Sequence, residues 1–375
     1  LSRVKKGRHS RSVLLYGLRG VGKTVLLNRI ERLAALDFKY ETAAIEAPED
    51  RSVAEIITPP LRQILLRLDI GEGVRHKVKR ALGALQSFAS VFDVTIGDVG
   101  VGVKKPAGMA DSGILDHDLT DLLVAVGEAA QENKRPVGIF IDEFQYVPQK
   151  EMAALLAGLH RVGQLNLPLM LFGAGLPQLV GFSGDAKSYA ERLFFFEEVG
   201  PLAEADAFHA IVDPIEEEGA RINKDAVAEI YRCTEGYPHF LQEWGSHAWD
   251  VAPKSPIRKQ DVVTATPIAL DNLDGGFFRV RFDRLTPSEK AYLRAMAELG
   301  RGPHRSGDIA AKLGRAVEQV APVRARVIGK GMAYSSAHGE TGFTVPMFDE
   351  YMKRAMPEFA KPKRSAKASR KRRKK

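Results

Sequence analysis

The chain has 375 residues, 45% of them hydrophobic, with a formal net charge of +8 and a pI near 9.4. That length holds two or three domains with real cores, and no apolar run approaches the roughly 18–20 residues of a membrane helix. One cysteine, Cys233, excludes an intramolecular disulfide and, with no secretory signal pattern, points to a reducing, cytoplasmic setting.

The basicity is concentrated at one end. Ten of the last fifteen residues, Lys361 to Lys375, are Lys or Arg and none is acidic, which leaves 45 basic against 47 acidic residues elsewhere. Such a run cannot form a core and suits a disordered tail for polyanions.

The first element is the short apolar strand Ser12–Tyr16, SVLLY. It is followed by GLRGVGKT, residues 17–24, and by a helix over Val25–Leu36 with Leu26, Ile30 and Leu33 at helical spacing. A glycine-rich loop between a strand and a helix N-terminus is built for phosphate, because free N–H groups and the helix dipole hold an anion. Gly17, Gly20 and Gly22 let the backbone wrap phosphate oxygens; Leu18, Arg19 and Val21 complete the loop. Lys23 is placed for the β- and γ-phosphates of ATP, and Thr24 for Mg²⁺. Hydrolases, kinases and passive switches all use such a loop, so the rest of the chain has to decide among them.

Lys39–Ala47 reads as a strand and Arg51–Leu68 as a helix interrupted by Pro59-Pro60. Residues 71–111 form an atypical piece, a basic helix and then VTIGDVGVGV, whose alternation suggests a hairpin around Gly97-Asp98 inserted at the domain rim. Leu115, Leu119, Leu122, Leu123 and Val126 make a helical face leading into Val137–Ile141 (VGIFI), a run expected as a central parallel strand. That strand ends in Asp142-Glu143. An acid there holds Mg²⁺, usually through water, and a second carboxylate polarises the attacking water. With no second-substrate site in view, water is favoured over a phosphate acceptor. Met152, Leu155, Leu156, Leu159 and Val162 form the next helix and Leu167–Phe172 another buried strand, an alternation expected of a doubly wound α/β domain.

From Pro201 to about Ala269 the pattern is helical, with Ala226, Ile230, Trp244 and Trp249 read as core, before the Pro-rich joint APKSPIRKQD. Leu285–Lys353 reads as a winged helix-turn-helix. Thr286, Pro287 and Glu289 give its first helix an N-cap, an N1 proline and an N3 acid. Ser306 caps a short helix that Gly314 ends, the segment to Lys330 is the recognition helix, and Met332–Val345 is a wing around His338-Gly339. Arg324, Arg326 and Lys330 are expected to face DNA. Few aromatic or Asn/Gln base readers accompany them, so a protein-docking winged helix is the competing reading.

Taken together, GLRGVGKT, IFIDEFQYV, LFGAGLPQL, SYAERLFFF, TEGYPHFLQEWG and the C-terminal winged helix resemble the AAA+ ATPases of the origin-recognition-complex type, with kinship to STAND signalling ATPases. The resemblance implies an α/β P-loop NTPase fold, a parallel sheet with helices on both faces, followed by an α-helical lid and a winged helix-turn-helix. The expected domains are 1–200 for the ATPase core, 201–282 for the lid, 283–356 for the winged helix and 357–375 for the tail. It places an arginine finger at Arg192, acting in trans on a neighbouring subunit, and a nucleotide-side lid turn at Gly236-Tyr237-Pro238. Little precedes the first strand and Leu1 stands in place of Met, which reads as truncation or an alternative start codon. One departure concerns Gly173-Ala174-Gly175, where related ATPases carry a polar sensor; slow, switch-like hydrolysis is expected. The implied activity is ATP hydrolysis with Mg²⁺ that gates action on DNA or a DNA-bound partner, with self-association. The alternative is a regulatory switch whose winged helix docks protein.

Overall fold

The apolar runs read from the sequence become strands of one parallel sheet. β1 (Ser12–Tyr16), β2 (Glu41–Glu46), β3 (Val137–Asp142), β4 (Leu169–Gly175) and β5 (Phe194–Glu198) pair in the order β2–β3–β4–β1–β5. β4 is buried along its whole length and β3 at all but its last residue, which is why both read as unbroken hydrophobic stretches. β5 is not apparent as a strand from the sequence. Its three phenylalanines run into exposed Glu197 and Glu198, so an edge position against β1, rather than periodicity, makes it extended.

The computed structural model of the protein describes residues 1–5, 8, 10–69, 76–95, 108–181 and 190–359. The hairpin expected around Gly97-Asp98 and the basic tail from Lys361 lie outside these residues. The chain forms two compact units, Leu1–Gly17 with Gly22–Val199, and Leu18–Val21 with Gly200–Lys375.

In the first unit α1 (Lys23–Leu36), α2 (Val53–Asp69), α3 (His76–Val91), α4 (Leu115–Glu132) and α5 (Gln149–Gln164) accompany the sheet. Leu27 and Ala34 of α1 are buried while Leu26 is 38% exposed, a shift of one residue, about a quarter turn, from the face expected. α2 runs unbroken through Pro59 and Pro60. A proline inside a helix costs about 3 kcal/mol, but Ile56, Ile57, Leu61, Ile64, Leu65 and Leu68 are all buried on this helix and offset it. The Thr58 hydroxyl donates to Ala54 O at 2.6 Å beside the break in the ladder. α3 corrects a second expectation. Its first turn is basic, yet Val78, Leu82, Leu85 and Phe88 belong to the main apolar core with α2 and α4. This helix is a structural member of the unit, not a rim insertion.

The second unit is helical through α6 (Glu204–Glu217), α7 (Lys224–Thr234), α8 (Pro238–Val251) and α9 (Lys259–Asn272). A widened π-type turn, Leu273–Phe278, and a short helix, Arg279–Asp283, follow. Trp244 is buried and its Nε1 donates to Thr266 Oγ1 at 3.1 Å, whereas Trp249 is 41% exposed and is not core. Then come α10 (Pro287–Leu299), β6 (His304–Arg305), α11 (Ser306–Leu313), α12 (Val317–Gly329), β7 (Ala333–Tyr334), β8 (Glu340–Phe343) and α13 (Phe348–Ala355). The three short strands form an antiparallel sheet in the order β6–β8–β7. The expected start of α10 forms, with Thr286 N–H donating to Glu289 Oε2 at 2.8 Å, and Gly314 ends α11 at φ 63°. The helices before Asp283 and the elements after Leu285 share one apolar core. Phe278 stacks on Tyr351 with ring centroids 5.2 Å apart and lies against Phe348, so an aromatic pair from the π-type turn welds the two segments.

Candidate functional site

Strand order creates the site. β4 lies between β1 and β3, and Gly173 is in register with Leu14 on one side and Ile141 on the other. The C-terminal ends of β1 and β3 therefore open on the same edge of the sheet, the edge where parallel α/β sheets bind ligands. Gly17 N–H donates to Gly175 O at 3.2 Å, which anchors the start of the phosphate loop to the end of β4.

The loop has the backbone that its glycines promise. Gly20 and Gly22 stand at φ 84° and 87°, left-handed values that side chains disfavour, and Gly22 is the N-cap of α1. The first helical bond runs from Leu26 N–H to Gly22 O at 2.9 Å. No acidic residue of α1 itself lies in its first turn, which leaves that dipole end suited to an anion. The Lys23 ammonium donates to Gly17 O at 3.1 Å across the loop, and the Thr24 hydroxyl donates to Asp142 Oδ2 at 2.5 Å. A hydroxyl and a carboxylate are hard oxygen donors of the kind Mg²⁺ takes, and a loop of this shape suits a nucleotide's phosphates. The residues present fit both.

Glu143 follows Asp142 at φ 50° and ψ 37°, an uncommon conformation for a residue with a side chain. Its N–H donates to Asp142 Oδ1 at 2.8 Å. Its carboxylate is met by a residue to which no sequence motif points. Gln145 Nε2 donates to Glu143 Oε2, while Gln145 Oε1 accepts from Leu176 N–H at 3.0 Å. The only signals in the sequence were a polar residue inside an apolar stretch, DEFQYV, and the glycine at 175. The structure also explains the departure at Gly173-Ala174-Gly175. A Cβ on Gly173 would collide with Leu14 Cδ2, and one on Gly175 with Gln145 Oε1 and Leu179 Cδ1.

Leu18–Val21, the tip of the loop, belongs to the second unit. There Arg19 N–H donates to Thr344 O at 2.8 Å, Gly20 O accepts from His239 N–H at 3.2 Å, and Val21 is buried. Pro238 is the first residue of α8, next to His239. Burial pushes the His239 imidazole below its ordinary pKa, against an opposing pull from Glu243 and with a further push from Arg281. Arg192 is exposed, on the short helix Ala190–Leu193 that leads into β5.

The three cations expected to face DNA are tied into the fold. Arg324 donates through Nε to Thr341 Oγ1 at 2.8 Å and through a terminal nitrogen to Ser335 Oγ and Glu340 O, both at 2.7 Å. Its guanidinium thus braces β8 and the turn between β7 and β8. Arg326 and Lys330 both grip Glu289, at 3.3 and 2.8 Å, and Lys330 also donates to Arg284 O. Burial alone would raise the Glu289 carboxyl, but Lys330 and the N–H and hydroxyl of Thr286 hold it down at about 2. The physical reason for the difference is that a charge can be spent inside the module that carries it, and spacing along a helix does not distinguish the two uses. The exposed positions of α12 are mixed: Val317, Ala321, Pro322 and Ala325 lie among Glu318, Gln319 and Arg326.

Residues 1–172 match a family model described as AAA ATPase domain, and residues 275–352 match one described as a domain of unknown function, DUF8462. No curated protein matches the chain. Among solved structures, the Thermotoga maritima RuvB Holliday junction branch migration motor is 14% identical with a TM-score of 0.45, covering 94% of this chain and 90% of that one. The Aeropyrum pernix Orc1 protein in complex with DNA is 15% identical with a TM-score of 0.43, covering 94% and 89%. Cdc6p from Pyrobaculum aerophilum is 13% identical with a TM-score of 0.42, covering 92% and 87%.

Proposed function

We propose that the protein hydrolyses ATP slowly and uses its nucleotide state to gate action on DNA or on a DNA-bound partner, a reading supported by the match of residues 1–172 to the AAA ATPase domain model. The observation that carries the nucleotide reading is the hydrogen bond between Thr24 and Asp142 beside a loop of left-handed glycines. Residues 17–24 cradle the phosphates and Lys23 supplies their cationic partner. Thr24 and Asp142 would hold Mg²⁺, which would supply neutralisation of phosphate charge. Glu143 polarises water, and Arg192 of one subunit completes the site of another. Pro238 lies on the nucleotide side of a helical lid, and the elements from Thr286 to Ala355 act as a winged helix. Slow turnover is supported by the side-chain-poor segment Gly173–Gly175.

A second reading has its own support. With Arg324, Arg326 and Lys330 bonded within the fold, and Val317, Ala321, Pro322 and Ala325 among the exposed positions of α12, the winged helix suits docking to protein, and the nucleotide then sets a signalling state. Cationic binding of DNA would rest on the tail, Lys361 to Lys375, which carries ten basic residues. ATPase activity measured with and without duplex DNA, and a salt titration of binding in ATP and in ADP, separate the readings. Deleting residues 361–375 should flatten the slope of log K against log salt by about 0.9 for each phosphate the tail neutralises. Binding that is absent in both nucleotide states, or identical in both, overturns gating of DNA and leaves the docking switch.

A further inference from the structure

Gln145 is 8% exposed, inside the short 3₁₀ turn Phe144–Tyr146 that follows the acidic pair. A buried amide needs partners at both ends, and those of Gln145 lie on different elements. Nε2 donates to the carboxylate of Glu143, and Oε1 accepts from the N–H of Leu176, the residue directly after β4. The orientation of the amide is unambiguous. A backbone N–H only donates and a carboxylate only accepts, so the oxygen must face Leu176 and the nitrogen Glu143. Space for the bridge depends on Gly175, where any Cβ would collide with Gln145 Oε1. Glu143 has a left-handed backbone, a conformation that persists only where the surroundings impose it.

We propose that Gln145 is a positioning residue for ATP hydrolysis, holding the Glu143 carboxylate to the C-terminal end of β4. Its amide supplies the polar link between that strand and the water-polarising group that Gly173-Ala174-Gly175 has no side chain to make. The inference rests on the reading of Glu143 as that group. Its bonds go to Glu143 and Leu176, so Gln145 acts on turnover and not on nucleotide affinity. Gly175 belongs to the same device, because it leaves room for the bridge.

The test compares kcat, KM and the Kd for ATP of the full chain with those of Gln145→Met, Gly175→Ala, Glu143→Gln and the double variant Glu143→Gln/Gln145→Met. Methionine keeps the length and volume of the side chain while removing both hydrogen bonds. Expected is a kcat about tenfold lower in Gln145→Met, on the scale of one missing hydrogen bond, with Kd and KM within about twofold. Gly175→Ala should reproduce that loss with Gln145 still present, and the double variant should be no slower than Glu143→Gln alone. A wild-type kcat in Gln145→Met overturns the proposal. So does a further tenfold loss in the double variant, since Gln145 would then act independently of Glu143. Loss of ATP affinity together with kcat in Gln145→Met assigns the residue to the fold instead. If the unmutated chain hydrolyses no ATP, or Glu143→Gln turns over at its rate, the reading of Glu143 fails first and the proposal falls with it. Failure of the proposal alone leaves Glu143→Gln slow and Gln145→Met unaffected.

Discussion

Thr24 and Asp142 are 118 positions apart in the chain, yet the hydroxyl of one donates to the carboxylate of the other at 2.5 Å. A cation site shared by these oxygens requires both. Thr24→Val removes the hydroxyl and Asp142→Asn the anion, each at nearly constant shape. Each should weaken Mg²⁺-dependent ATP binding by roughly 10- to 100-fold, while binding measured in EDTA changes little. Equal losses with and without Mg²⁺ would show that the pair supports the loop and not the metal.

Lys23 and Glu143 separate binding from chemistry. Lys23→Ala should abolish detectable ATP binding, because the phosphates lose their main cationic partner. Glu143→Gln should bind ATP normally and hydrolyse it about 10²-fold or more slowly, the scale for removing a proton acceptor. Calorimetric titration alongside a phosphate-release assay measures both.

Arg192 is exposed at the entry to the edge strand β5, a position open to a neighbouring subunit. Arg192→Ala should leave ATP affinity unchanged and suppress turnover. Adding excess Glu143→Gln chains, which retain Arg192, should restore part of the activity of the arginine variant. ATP hydrolysis at a specific rate independent of protein concentration, by a chain that stays monomeric, excludes action in trans.

Glu289 is fully buried against Arg326 and Lys330, with its carboxyl held at about 2 against an ordinary 4.5. A depressed carboxyl contributes stability that is complete above its unfolded value and is lost as pH falls through the folded one. The contribution is at most about 3 kcal/mol and should disappear between about pH 5 and pH 2. Glu289→Gln should therefore melt at a lower temperature than the unmutated chain at pH 7, the two converging towards pH 2. Parallel pH curves for the two chains would remove the ion cluster as the cause.

Arg324 joins α12 to β8 and the turn before it through three hydrogen bonds. Arg324→Ala leaves Thr341, Ser335 and Glu340 O to find other partners, and should destabilise the chain by roughly 2 kcal/mol in chemical unfolding. An unaltered unfolding midpoint, with weakened DNA binding, would return the guanidinium to the groove-facing role expected from sequence.

The phosphate loop, the acidic pair after β3 and the buried strands were legible in sequence because each is a local pattern. Glycines between an apolar strand and a helix specify backbone conformations, and unbroken runs such as VGIFI specify burial on both faces. The boundaries of β1 and the cap of α10 follow from the same local chemistry.

What only the tertiary structure decided are the uses to which side chains are put. The basic first turn of α3 concealed a helix whose other face is core, and Pro59-Pro60 did not end α2 because burial on both sides outweighs two missing hydrogen bonds. Arg324, Arg326 and Lys330 read as free cations until Glu289 and β8 were folded against them. Gln145 was invisible because its two partners belong to Glu143 beside it and to Leu176, thirty-one residues on and one strand away. Local sequence sets backbone preference and burial pattern, whereas a hydrogen bond between distant residues exists only once strand order brings their atoms within reach.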